Sequence, residues 1–194
     1  MKNKIIDLTQ TMYLGMPDWN GTCGFRMSKV MDYNEGACVH ELNIPSGIGT
    51  HIDAPSHFIQ RGADVSDINV SSLICPGVVI DVRQKADQNY AVSVDDLTEF
   101  EEKCGAIPEK SLVIANTGWG HKWEDAVAYR NQDAKGIMHF PRFSSEAAEF
   151  LLKRNIEGIA VDTLSPDGSD YRFPVHHVLL GAGKFIIENI INLY

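Results

Sequence analysis

Four short apolar runs constrain this chain more than any other feature. They are Val78-Val79-Ile80-Asp81-Val82, Leu112-Val113-Ile114-Ala115, Gly158-Ile159-Ala160-Val161-Asp162 and Phe185-Ile186-Ile187. Each is bounded by turn residues, such as Pro76-Gly77 before the first and Asn116 after the second. Runs of this length and uniformity fit buried strands. Two further segments read as strands: Lys4 to Thr9, and Val39 to Ile44, which alternates loosely and stops at Pro45. Helical patterns separate the runs. Ser93-Val94-Asp95-Asp96 resembles a capping box with Asp in place of Glu and opens a helix through Leu97 to Lys103. Ser144 or Ser145 caps a second helix, Glu146 to Arg154, whose Ala147, Phe150, Leu151 and Arg154 keep the three-four rhythm. Helix followed by strand predicts an α/β chain in sheet and helix layers. At 194 residues, without repeat or linker, it reads as one domain. Residues 10–38 and 116–143 lack regular signals and are expected to serve as substrate walls or subunit contacts.

Charge narrows the partners. The formal charge is −9 and the cations are scattered, so no basic stripe exists to displace counterions from nucleic acid. An anionic substrate remains compatible, because a bound dication reverses the local field. The four cysteines, Cys23, Cys38, Cys75 and Cys104, form no CxxC pair and read as reduced, mostly buried thiols. The segment Met1 to Leu8 is too quickly interrupted for a signal peptide, and no apolar run approaches the roughly 20 residues that span a bilayer. A cytoplasmic enzyme with no membrane partner is the expectation.

The chemistry concentrates in Gly49-Thr50-His51-Ile52-Asp53-Ala54-Pro55-Ser56-His57-Phe58. In an extended chain residues i and i+2 share a face, so His51 and Asp53 converge on one point. Pro55 stops the strand and starts a turn that can return His57 over that point. Mixed nitrogen and oxygen donors suit a divalent cation, while a simple His–Asp hydrogen bond is the plainer reading. Far along the chain, Glu188 interrupts Phe185-Ile186-Ile187 and Ile190-Ile191, where a carboxylate is costly unless paired, coordinated or turned to the surface. His176 and His177 lie beside Pro174. Trp19 and Trp119 either stack on an aromatic substrate or pack their loops. His121, His139 and His177 read as structural or surface residues, and Asp162 either orients a ligand or caps a turn.

Together these segments resemble the cyclase-like family that includes bacterial kynurenine formamidases and isatin hydrolases. Gly49 to Phe58 is similar to the family's HxGTHxDxPxH signature; Thr117-Gly118-Trp119 resembles its TGW segment, and Asp162-Thr163-Leu164-Ser165-Pro166-Asp167 its DT-S-D turn. Phe173-Pro174-Val175-His176-His177 and Ile187-Glu188-Asn189 resemble its C-terminal ligands, and Gly15-Met16-Pro17 its early loop. The resemblance implies a swivelling β/β/α fold, a homodimer or homotetramer, and hydrolysis of an amide or lactam by metal-activated water. It implies His51 and Asp53 as metal ligands, His176 and Glu188 as ligands of a second position bridged by Asp53, and His57 as the proton carrier. Zinc and manganese are both compatible. The signature's opening histidine falls on Gly47, which has no donor. One ion held by His51, Asp53, His176 and Glu188 is therefore expected, with water, Ser46 or His40 in the remaining position. The implied substrate is an aryl formamide such as N-formylkynurenine. Lactam or lactone ring opening, or non-catalytic binding of a metal or small ligand, are the alternatives.

Overall fold

The four apolar runs lie side by side in the computed structural model, which describes residues 5–193. In chain order the strands and helices are β1 (Arg26–Met31), β2 (Val39–Asn43), β3 (His51–Asp53), β4 (Gly77–Asp81), β5 (Ala91–Val92), α1 (Val94–Cys104), β6 (Leu112–Asn116), α2 (Ala126–Arg130), β7 (Arg142–Phe143), α3 (Ser145–Lys153), β8 (Gly158–Val161), α4 (Pro174–Gly181) and β9 (Phe185–Glu188). The main sheet has five strands in the order β3-β9-β8-β6-β4. Strands β4, β6, β8 and β9 are parallel, and β3 closes one edge antiparallel to β9. The α/β expectation is met.

Alternation along the strands sets the layers. Val78, Ile80, Val113, Ala115, Ile159, Val161 and Ile186 join Leu97, Ala147, Leu151, Val175 and Leu179 in one core between sheet and helices. Ile114, Ala160 and Ile190 form a smaller cluster. Both expected helices form with their caps: Ser93 and Asp96 make the reciprocal box, and Ser144 accepts from Ala147 N.

Four expectations need correction. The described part of Lys4 to Thr9 is not a strand; Thr9 makes an isolated bridge to Ile190, and Lys4 lies outside the described residues. The Val39 to Ile44 segment does form β2, yet β2 pairs only with β1, and every residue of both strands is exposed. Loose alternation made β2 look like a buried strand, but two strands alone have no sheet to bury them. Its partner β1 falls inside a segment read as irregular. The cysteines are free, but three are half-buried and Cys104 is exposed.

The segments 10–38 and 116–143 pack on each other. Met16, Phe25, Trp119, Trp123, Tyr129 and Phe140 build a second core there. Hydrogen bonds seal it, among them those from Trp123 Nε1 to Thr11 O at 2.9 Å and from Tyr13 Oη to Trp123 O at 2.7 Å.

Candidate metal centre

Register brings the distant donors together. In the antiparallel β3–β9 pair His51 stands opposite Glu188, and Asp53 opposite Ile186. Opposed residues share a face, and so do residues two apart. His51, Asp53 and Glu188 therefore all project to the side of Ile186, which belongs to the core that holds Val175 and Leu179 of α4. Val175, His176, Leu179 and Leu180 form the buried face of that helix, so His176 meets the strand donors from above.

Four contacts link these side chains. His51 Nε2 lies 3.6 Å from Asp53 Oδ1 and 3.5 Å from Glu188 Oε2. His176 Nε2 lies 3.6 Å from Asp53 Oδ2 and 3.4 Å from Glu188 Oε1. Such spacings are long for hydrogen bonds, whose usual range is about 2.7–3.2 Å. They match the edge of a tetrahedron around an ion with bonds of about 2.1 Å, which is roughly 3.4 Å. Asp53 Oδ2 is buried and has no hydrogen-bond partner. An orphaned carboxylate oxygen 3.6 Å from the His176 imidazole, on a carboxylate whose other oxygen faces His51, fits a cation. Two overlapping donor groups result, His51–Asp53–Glu188 and Asp53–His57–His176, joined by Asp53.

Burial and charge oppose each other here. Burial raises the Glu188 carboxyl, and the nearby Asp53 charge adds to that rise against the pull of His176 and His51. Burial also acts to raise Asp53, yet His176, His51 and His57 together hold it below the ordinary carboxylate range. For His176 burial pulls down, but Asp167, Asp53 and Glu188 outweigh it and push the imidazole up to about 11. An imidazole ringed by carboxylates keeps its proton until another cation replaces it.

Each of these two histidines has a defined partner on the far side of its ring. His51 Nδ1 donates to Gly49 O at 2.9 Å, and His176 Nδ1 donates to Asp167 Oδ2 at 2.5 Å. Both rings thus turn Nε2 toward the carboxylates, the arrangement that fixes a histidine tautomer for metal binding. Asp167 also accepts from Val175 N at 2.7 Å and His176 N at 3.2 Å, satisfying first-turn amides of α4. Sequence reading assigned Asp167 no role, because its partner sits nine residues on across a turn and a helix start. Asp162 instead holds the Thr117-Gly118-Trp119 turn, accepting from Thr117 Oγ1 at 2.6 Å and from the amides of Thr117 and Gly120.

His57 comes back over the site on a single 3-10 turn begun by Pro55. Its Nε2 is 3.8 Å from Asp53 Oδ1, and half of its side chain is exposed. Beside it stands an aromatic wall. Phe58 packs on the His176 ring at 4.5 Å and on Phe173 at 5.1 Å, and Trp19 meets both Tyr171 and Phe173 at 5.7 Å. Phe173 has φ +53, a left-handed conformation that a bulky side chain adopts only under strain, and strain of this kind gathers at functional sites. The sequence carries no signal for Tyr171 and Phe173 as wall residues beyond their closeness to His176.

Other residues lie elsewhere. Trp119 is buried in the second core, its Nε1 donating to Tyr129 O at 2.8 Å while Lys122 covers its ring. His40 sits on exposed β2 opposite Lys29 and belongs to neither donor group. His121 bonds Gly118 O, His139 is held between Asn89 and Asp133, and His177 is exposed against Phe58. Gly47 is exposed, and a Cβ there would stand 3.5 Å from His51 Nε2. Its lack of a side chain leaves space beside His51 Nε2.

Fold and site define an α/β domain that gathers histidine and carboxylate donors able to hold a metal ion at one edge of its sheet. The chain belongs to the Cyclase family, whose model matches residues 6–168. It is 32% identical to the isatin hydrolase of Roseibium aggregatum over 157 residues, 75% of this chain and 59% of that protein. It therefore aligns with less than two thirds of that relative's length. It is 26% identical to the kynurenine formamidase of Bacillus cytotoxicus over 189 residues, 96% of this chain and 81% of that one. Among solved structures, isatin hydrolase A from Labrenzia aggregata, bound to benzyl benzoate, superimposes with a TM-score of 0.89 at 30% identity, covering 98% of this chain and 81% of the other. The named relatives are hydrolases, in agreement with the class read from the sequence.

Proposed function

We propose that this chain is a metal-dependent hydrolase of a small amide carried on an aromatic ring, with an aryl formamide such as N-formylkynurenine as its first candidate substrate. The observation that carries the reading is the orphaned Asp53 carboxylate oxygen, buried at ligand-edge spacing from the His176 imidazole. His51, Asp53 and Glu188 would hold one zinc or manganese ion, with His176 completing the set through Glu188 and Asp53. A bound divalent ion would supply polarisation of the amide carbonyl and would lower the pKa of coordinated water toward about 7. His57, half exposed above Asp53, takes the proton from the attacking water and delivers it to the departing nitrogen. Phe58, Phe173, Tyr171 and Trp19 hold the aromatic ring and keep bulk water from that face. Exposed Gly47, with no side chain beside His51 Nε2, would leave room there for substrate.

Ring opening of a lactam is the second reading, favoured by the higher identity to isatin hydrolase than to kynurenine formamidase. Turnover assays with aryl formamides and with isatin-type lactams, on protein loaded with zinc or manganese and counted by elemental analysis, decide between them. Formamide turnover lost on chelation is the expected result. Protein that retains its ion and hydrolyses no amide or lactam would make this a binding protein. Assembly as a homodimer or homotetramer in the cytoplasm belongs to the same proposal, with light scattering as its check. No helix among the described residues is long and apolar enough to cross a membrane.

A further inference from the structure

The two histidines of the centre are oriented by different means. His176 leans on a carboxylate, Asp167, whereas His51 leans only on a backbone carbonyl, that of Gly49. A carbonyl next to glycine is a weak anchor, because glycine tolerates rotation of the adjoining peptide. Gly49 already stands at φ +67. Something must hold that peptide plane, and a side chain does. Asn189 Nδ2 donates to Gly49 O at 2.9 Å, so this oxygen accepts from both Asn189 and His51.

Asn189 is itself pinned at every polar atom. Its Oδ1 lies 3.0 Å from the hydroxyl of Tyr129, a residue with no exposed surface whose Oη also lies 3.0 Å from Asp162 O. Its N–H donates to Thr163 O at 3.1 Å, and its C=O accepts from Thr50 Oγ1 at 2.6 Å. The residue has φ +59, a left-handed conformation that asparagine tolerates and that ends β9 one position beyond Glu188. That turn is what sends the amide beneath β3 rather than along the strand.

We infer that Asn189, held by Tyr129, is a positioning residue that fixes the Nδ1–H tautomer of His51 through the Gly49 carbonyl and so keeps His51 Nε2 free to bind the ion. Without the amide the peptide between Gly49 and Thr50 can turn, His51 loses its fixed acceptor, and the Nε2–H form, which cannot ligate, becomes populated. The inference rests on the metal-centre reading above but fails separately from it.

Asn189→Gly is the sharpest variant, because glycine keeps the left-handed backbone without strain and removes only the amide. Zinc affinity, measured by competition with a chromophoric chelator, is expected to fall about tenfold to a hundredfold. Nitrogen-15 spectra of the zinc-loaded protein supply a readout that general loosening would not mimic. The Nδ1–H signal of the His51 ring, bonded to Gly49 O, should shift and exchange faster with solvent, while that of the His176 ring, anchored by Asp167, keeps its place. Tyr129→Phe should move the same two quantities in the same direction by a smaller factor, and it decides the matter should Asn189→Gly not fold. Zinc affinity within twofold of the parent with an unchanged His51 signature, or equal disturbance of both rings, overturns the inference. A parent protein that binds no zinc at all would instead remove the metal-centre reading.

Discussion

Asp53, Glu188 and His176 lie below the surface on two paired strands and a helix, whereas His57, Trp19 and Tyr171 stand on turns nearer the surface. The first group is fixed by ladder register and helix packing, and its exposures are 5%, 5% and 3%. The second is held by edge-on ring contacts and one long approach to Asp53. A floor set by backbone pairing has no alternative geometry of similar energy, while a rim of rings on turns can be altered without moving the donors. Ion binding should therefore depend on the floor, and substrate choice and turnover on the rim.

The largest break in that division is Asp53→Ala. It removes the carboxylate that touches three imidazoles, and the variant should lose its ion altogether; unchanged metal content by elemental analysis would contradict the floor as drawn. Next comes His57→Ala, which should keep metal and lose about 10²–10⁴-fold in turnover. Full activity in that variant would take His57 out of the reaction. Asp167→Asn keeps an acceptor for Val175 N but presents an amide to His176 Nδ1, and zinc affinity should weaken about tenfold to a hundredfold. An unaltered dissociation constant would show that His176 needs no such orientation.

The floor also makes a proton count. Since Asp167, Asp53 and Glu188 hold the His176 imidazole up to about 11 against burial, it is charged at neutral pH before the ion arrives. Binding must then release a proton below about pH 11 and none well above it. Calorimetry in buffers of different ionisation enthalpy measures this, and zero release at pH 7 would count against a ring of uncompensated carboxylates. The smallest effect belongs to the rim: Tyr171→Ala should raise KM about twofold to tenfold, in line with about 0.5–1.5 kcal/mol for an aromatic pair, with metal content intact. Loss of metal there would blur the distinction between floor and rim.

Much of the floor was legible residue by residue. His51 and Asp53 share a face because strand periodicity is two, and Pro55 turns the chain because it cannot continue a ladder. Glu188 drew notice as a carboxylate among isoleucines, where burial demands a partner. The wall was less legible. Trp19 reaches Tyr171 and Phe173, but Trp119, read on the same grounds, has its indole nitrogen committed to Tyr129 O. An aromatic in a loop gives no sign of which core it will join. The β1–β2 ribbon was hidden for a related reason: a strand pattern does not say whether a sheet waits to receive it.

From its order of residues alone the chain determined the apolar runs, the capped helices and the spacing that turns His51, Asp53 and His57 toward one point, since these depend on neighbours a few positions apart. Only the tertiary structure decided that β3 would pair with β9 with His51 against Glu188, that Asp167 would seat His176, and that Asn189 would reach Gly49. A one-residue slip in that ladder would turn every donor on β3 to the opposite face. Such a register is selected by the packing of the whole core and not by any local stretch.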